Sequence, residues 1–168
     1  MERHDPDLAA DERTTLEQYL DYHRATLLWK TEGLTREQLN QRLPTSELTL
    51  AGLLKHLALV EDYWMHSRFL GVDDPEPWAS APWDDDRDWD FHTAAQDAPG
   101  DLRALYEAAC ARTSAIVAEH ALDNLSALSK SGQRYSLRWI LVHLIEETAR
   151  HNGHADILRE AIDGMVGE

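Results

Sequence analysis

Residues 137–160 read Leu137-Arg-Trp-Ile-Leu-Val-His143-Leu-Ile-Glu-Glu147-Thr-Ala-Arg-His151-Asn-Gly-His154-Ala-Asp-Ile-Leu-Arg-Glu160. At 3.6 residues per turn, Leu137, Ile140, Leu141, Leu144, Thr148, Ala155, Leu158 and Ile162 fall on one apolar arc, the pattern of a long helix with one buried face. His151 lies about 20° from the centre of that arc, Glu147 about 60° away, and His143 and His154 about 80–100° away. Glu146, Arg150, Asp156 and Glu160 are expected to point outward. Ser136 is a good N-cap after the turn Lys130-Ser131-Gly132, and Gly164 is the stop.

Three more helical patterns precede this one, and no strand is expected. From about Thr14 to Thr31, Leu16, Leu20, His23 and Leu27 share a stripe. Gly33 ends it, and Thr35 with Gln38 offers a capping box for one more turn before Pro44. From about Thr49 to Leu70 the inner stripe is Leu50, Leu53, Leu57, Val60 and Trp64, closed by Gly71. Gly52 in its first turns points to a close backbone approach, because glycine there costs about 1 kcal/mol against alanine. From about Asp101 to Ala121, Leu102, Leu105, Tyr106, Ala109, Thr113, Ile116, Val117 and His120 share a face. Residues 72–100 differ in kind: prolines, a run of acids and Trp78, Trp83 and Trp89. Prolines forbid a continuous helix, and three tryptophans imply a connection folded onto the helices. The expected fold is all-α, a four-helix bundle with one long acidic connection. One domain spans 1–168, with about 1–12 as a flexible N-terminus.

The chain has 168 residues with 31 acids against 16 lysines and arginines, a net charge of −15. A surface this negative disfavours nucleic acid and anionic membranes as partners. Cys110 is the single cysteine, which excludes an internal disulfide and a cysteine-rich zinc site. The start, MERHDPDLAADER, lacks a basic region leading into an apolar one, and no apolar run approaches a membrane span, so a cytoplasmic protein is expected.

The chemistry sits in the long helix. Glu147 and His151 point one turn apart toward an apolar centre, and a carboxylate buried there needs compensation. A divalent cation shared at i and i+4 supplies it; so does a metal-free Glu147–His151 pair or an arginine. A third ligand must come from another helix, because His143 and His154 sit too far along the axis to join easily. His23 and His56 are level candidates by position. His66 reads as exposed, His92 lies in the loop, and His120 sits in a last turn where it can serve carbonyls. Arg24 is a candidate for a substrate carboxylate or a salt bridge.

Leu-Leu-Lys-His56-Leu-Ala-Leu-Val-Glu61-Asp-Tyr-Trp64, taken with Glu147-Thr-Ala-Arg-His151-Asn-Gly-His154-Ala-Asp, resembles the DinB-like superfamily of metal-binding four-helix bundles over nearly the whole chain. That resemblance implies His56, Glu147 and His151 as ligands of a divalent metal, zinc above all, with nickel or iron suited to the same donors. The common last motif is His-x-x-x-His-x-Gly-Gln. Glu147 stands at its first histidine, as in the mycothiol-dependent maleylpyruvate isomerase branch, and His154 stands where glutamine is frequent. The resemblance further implies a low-molecular-weight thiol as cosubstrate and a homodimer through helix faces, as is frequent in the family.

Three protein ligands leave a coordination position open, the mark of a catalytic site. The leading expectation is metal-dependent thiol transfer to, or isomerisation of, a small electrophile. A metal-dependent hydrolase and a non-catalytic metal-binding stress-response protein are the alternatives. His154 is a candidate second-layer group or general base, Gly153 a site of close approach, and the three tryptophans either a roof or packing. Cys110 lacks an activating neighbour. The Asp84, Asp86, Asp88 run is not a calcium loop, because Trp89 and Ala95 stand where glycine and glutamate are needed.

Overall fold

A computed structural model describes residues 2–130 and 132–167. Helix α1 spans Glu12–Thr31, α2 Arg36–Leu39, α3 Leu50–Asp62, α4 Trp89–Thr93 and α5 Pro99–Glu119. Strands β1, Leu125–Lys130, and β2, Gln133–Ser136, then lead into helix α6, Leu137–Asp163. None of the described helices is long and apolar enough to cross a membrane.

The ends are set by local chemistry. Asp11 caps α1, Thr49 caps α3, and the Ser136 hydroxyl accepts from the Trp139 amide at the start of α6. Thr35 and Gln38 form the expected reciprocal capping box. Pro99 opens α5, where its missing N–H costs nothing. Gly71 and Gly164 adopt the left-handed conformation that ends a helix. Beyond Asp62, α3 continues as a π-helical segment, Tyr63–Leu70.

Helix α1 packs on α6, α3 packs on α5, and α3 also meets α6. One set of buried side chains joins Leu27, Leu28, Leu53, Leu54, Leu57, Tyr106 and Leu158. A second joins Leu20, Met65, Phe69, Val117, Leu137, Ile140, Leu141 and Leu144. Each fully buried leucine contributes about 2 kcal/mol. The stripes read from α1, α3, α5 and α6 are the ones buried.

The structure corrects the sequence reading in several places. A hairpin replaces the expected loop before α6: β1 and β2 pair antiparallel, Leu125 opposite Ser136. Its two-residue register shift and mixed polarity hide it from a period-two search. Ser131 of the expected turn lies outside the described residues. The close approach at Gly52 comes from the Phe91 ring, whose edge would stand 2.8 Å from an added Cβ, and not from backbone. His66 is mostly buried, with its Nδ1 3.6 Å from Asp62. Asp156 does not simply face water, because it pairs at 2.8 Å with the buried Lys30 of α1. Apart from these corrections, Arg3 lies over the rings of Tyr22 and Trp29, and the Asp7 amide donates to Gln18 Oε1.

Two adjacent acids near the end of α3 organise the interior. Glu61 is 1% exposed and takes a two-pronged contact from Arg24 of α1, Nε and Nη2 each at 2.7 Å. Asp62, fully buried, takes Arg112 of α5 at 2.9 and 2.8 Å and the Trp78 indole N–H at 2.8 Å. Trp78 belongs to the 72–100 connection and is itself 1% exposed, so this segment is folded onto the helices as expected. Burial opposes the Arg24 charge, yet Glu61 outweighs it and the guanidinium pKa is raised. Removing one partner of a buried pair strands the other. Glu61→Leu alone is therefore expected to lower the unfolding free energy by about 3–5 kcal/mol in urea titration, and adding Arg24→Met is expected to restore most of it.

Candidate metal centre

His56 lies on α3 with its ring toward α6, and its Nδ1 is 2.8 Å from Asp90 Oδ2. Asp90, on α4 within the acidic connection, is 2% exposed. A buried carboxylate is acceptor-only, so the imidazole proton sits on Nδ1 and Nε2 is left as the ligand atom. The Phe91 ring stacks on His56, centroids 4.6 Å apart, and itself rests against Gly52. One helical turn of the connection thus fixes both the tautomer and the plane of His56.

From α6, His151 meets His56 edge-on with ring centroids 5.0 Å apart. Its Nε2 lies 3.6 Å from Glu147 Oε2, and its Nδ1 lies 3.3 Å from His154 Nδ1. The ligand atoms of His56, Glu147 and His151 all fall within 4.8 Å of one another. His143 comes nearer than the helix axis implied, with Nε2 3.8 Å from Glu147 Oε1. His143, Glu146 and Glu147 form a second such group sharing Glu147. The Glu147 side chain is 23% exposed, so it borders a cavity and does not end in the apolar centre. Burial, then the neighbouring His56 and His154, push the His151 pKa down to about 4. A neutral imidazole at pH 7 is the form that binds a metal.

The cavity has a volume of about 510 Å³. His56 and Glu147 lie on one side, Leu59, Val60, Tyr63 and Trp64 form the α3 wall, and Asp74, Trp83 and Arg87 come from the connection. The tryptophans divide their work. Trp83 lines the cavity, Trp78 is core, and Trp89 packs edge-on to both while carrying Lys55 over its ring.

Other candidates lie elsewhere. The His23 ring is half-buried against Tyr22, and burial lowers its pKa. Arg24 is held by Glu61, with Asp21 at 2.8 Å, and neither faces this cavity nor lies on the surface. His154 neighbours His151, Gly153 faces open space, and His92 is exposed and bound to Asp86. His120 Nδ1 donates to the Ile116 carbonyl, the carbonyl-serving role expected of it. Cys110 is buried between Glu61 and Tyr106, and burial followed by Glu61 pushes its thiol pKa far up. Asp90, Phe91, Tyr63, Asp74 and Arg87 had no signal as site residues in the sequence, apart from aromatic Trp89 and Phe91 bracketing one acid.

Two imidazoles and one carboxylate form a borderline donor set suited to zinc, nickel or iron(II). Asp90→Asn is expected to weaken zinc binding by about 10- to 100-fold in competition with a chromophoric chelator, with cooperative unfolding of the metal-free protein retained. The His151 pKa is lower folded than unfolded, so the unfolded chain binds the extra proton. The metal-free protein is therefore expected to lose stability as pH falls from about 6.5 toward about 4, and His151→Asn to flatten that slope in urea titrations across this range.

Residues 15–164 match a family model described as MST, mycothiol-S-transferase. The match covers most of the 168 residues, and the chain belongs to that family. No match is found among the curated proteins.

Proposed function

We propose that this member of the mycothiol-S-transferase family is a divalent-metal-dependent transferase that joins a mycothiol-like thiol to a small electrophile. His56, Glu147 and His151 are its metal ligands. The observation that supports this most is the convergence of two oriented imidazoles and a carboxylate, from α3 and α6, on one side of a cavity large enough for two small reactants. We read the packing of α1, α3, α5 and α6 as a DinB-like four-helix bundle, with residues 72–100 as the connection that completes the site.

A divalent cation bound there, zinc in our reading, supplies positive charge that keeps a thiol ionised at neutral pH. The protein's own groups do the rest. Asp90 holds the His56 proton on Nδ1 and His154 engages Nδ1 of His151, so both rings turn Nε2 inward. Glu147 adds the negative charge that balances the site. Tyr63, Trp64 and Trp83 wall the cavity and offer apolar surface to the reactants. The sulfur attacks the electrophilic carbon, a new carbon–sulfur bond forms, and the leaving group departs with the electrons of the bond that breaks.

Elemental analysis of wild type beside His56→Ala and Glu147→Ala is the first test. One equivalent of metal in wild type, lost in both variants, is expected; a reloaded wild type that holds none overturns the reading. With zinc-loaded protein, mycothiol and 1-chloro-2,4-dinitrobenzene, thioether formation is expected to fall by about 100-fold or more in either variant. Turnover that persists without thiol identifies a hydrolase instead.

A further inference from the structure

The cavity wall carries a charge that thiol activation leaves unused. In a chain of net charge −15, cations find acids readily: Arg24 takes Glu61, Arg112 takes Asp62, and Arg159 takes Asp163. Arg87 lies inside the run Asp84-Asp85-Asp86-Arg87-Asp88, yet it makes no ion pair among the described residues. Both carboxylate oxygens of Asp86 face His92 Nδ1, at 3.0 and 2.9 Å, and Oδ1 also accepts from the Asp88 amide at 3.1 Å. Arg87 instead borders the cavity, together with Tyr63, Trp64 and Trp83 and the candidate ligands His56 and Glu147.

We propose that Arg87 recognises a carboxylate on the second substrate, a small aromatic or otherwise planar electrophile. The proposal rests on the transferase reading of the same site. The guanidinium presents a planar fork that matches a carboxylate with two parallel hydrogen bonds. Three aromatic side chains offer faces and edges to a planar body. Placing the anion at Arg87, away from the metal, leaves the open coordination position to the thiol and orients the electrophilic carbon between the two. The long connection then has two functions: Asp90 sets a metal ligand, and Arg87 selects the reactant.

Equilibrium binding of benzoate and its neutral isostere benzamide tests this without thiol or turnover. Quenching of tryptophan fluorescence reads occupancy, because Trp64 and Trp83 line the cavity. The full chain, zinc-free and zinc-loaded, is expected to bind benzoate at least about tenfold more tightly than benzamide. Arg87→Gln is expected to erase that margin and leave benzamide affinity unchanged, and Arg87→Lys to recover part of it. Equal binding of the two probes in wild type overturns the proposal. So does a benzoate preference that survives in Arg87→Gln, including one that appears only with zinc, which assigns the anion to the metal. Arg87-dependent benzoate binding in a protein without thiol-transfer activity would leave this inference standing and remove the transferase reading alone.

Discussion

Two neighbouring carboxylates that must not be left alone in an apolar interior set the arrangement of this protein. Glu61 and Asp62 are both buried on α3, and each draws its donors from a different element. Glu61 brings Arg24 and thereby α1; Asp62 brings Arg112 of α5 and the indole of Trp78 in the connection. An unpaired charge at either position costs several kcal/mol, more than any one leucine contributes, so registers that miss these pairings are strongly disfavoured. Apolar packing alone tolerates sliding of one helix along another, and the charged pairs do not. Helix α6, which faces α1, is tied by polar contacts of its own. Arg159 donates to the Lys30 and Glu32 carbonyls, and Asn152 donates to the His23 carbonyl.

The same helix holds the connection against the candidate metal centre. Lys55 donates to Thr93 and Asp97, His56 to Asp90, and Asp62 accepts from Trp78, so polar groups of α3 grip residues 78–97 along its length. A segment of this acidity would stay solvated without such partners. Once gripped, it delivers Asp90 and Phe91 to His56 and Trp83 and Arg87 to the cavity. The orientation of His56, a proposed metal ligand, and the shape of the cavity wall are therefore one structural property. Tyr63 and Trp64, at the start of the π-helical segment, complete that wall.

Charge near the centre is graded. His151 is buried beside other imidazoles and stays neutral down to about pH 4, whereas the exposed His92 has its pKa raised by Asp86. The first is a neutral imidazole at pH 7; the second is a surface pair between His92 and Asp86.

Periodicity and capping are local, so the sequence by itself determined α1, α3, α5 and α6, their buried faces and their ends at Ser136, Gly71 and Gly164. Glu147 and His151, one turn apart on the same helix, were legible for the same reason, and position left His56 and His23 level. Tertiary structure decided what depends on partners remote in sequence. Glu61 and Asp62 looked like ordinary helix acids until Arg24 and Arg112 arrived from other helices. Asp90 was one acid among many in an acidic run, and only the fold of the connection places it 2.8 Å from His56. The hairpin before α6 escaped because its strands are short, irregular and half polar. A residue's intrinsic pattern travels with its neighbours in the chain, but the partner of a charge or a ligand is fixed only when distant segments share a buried, low-dielectric space.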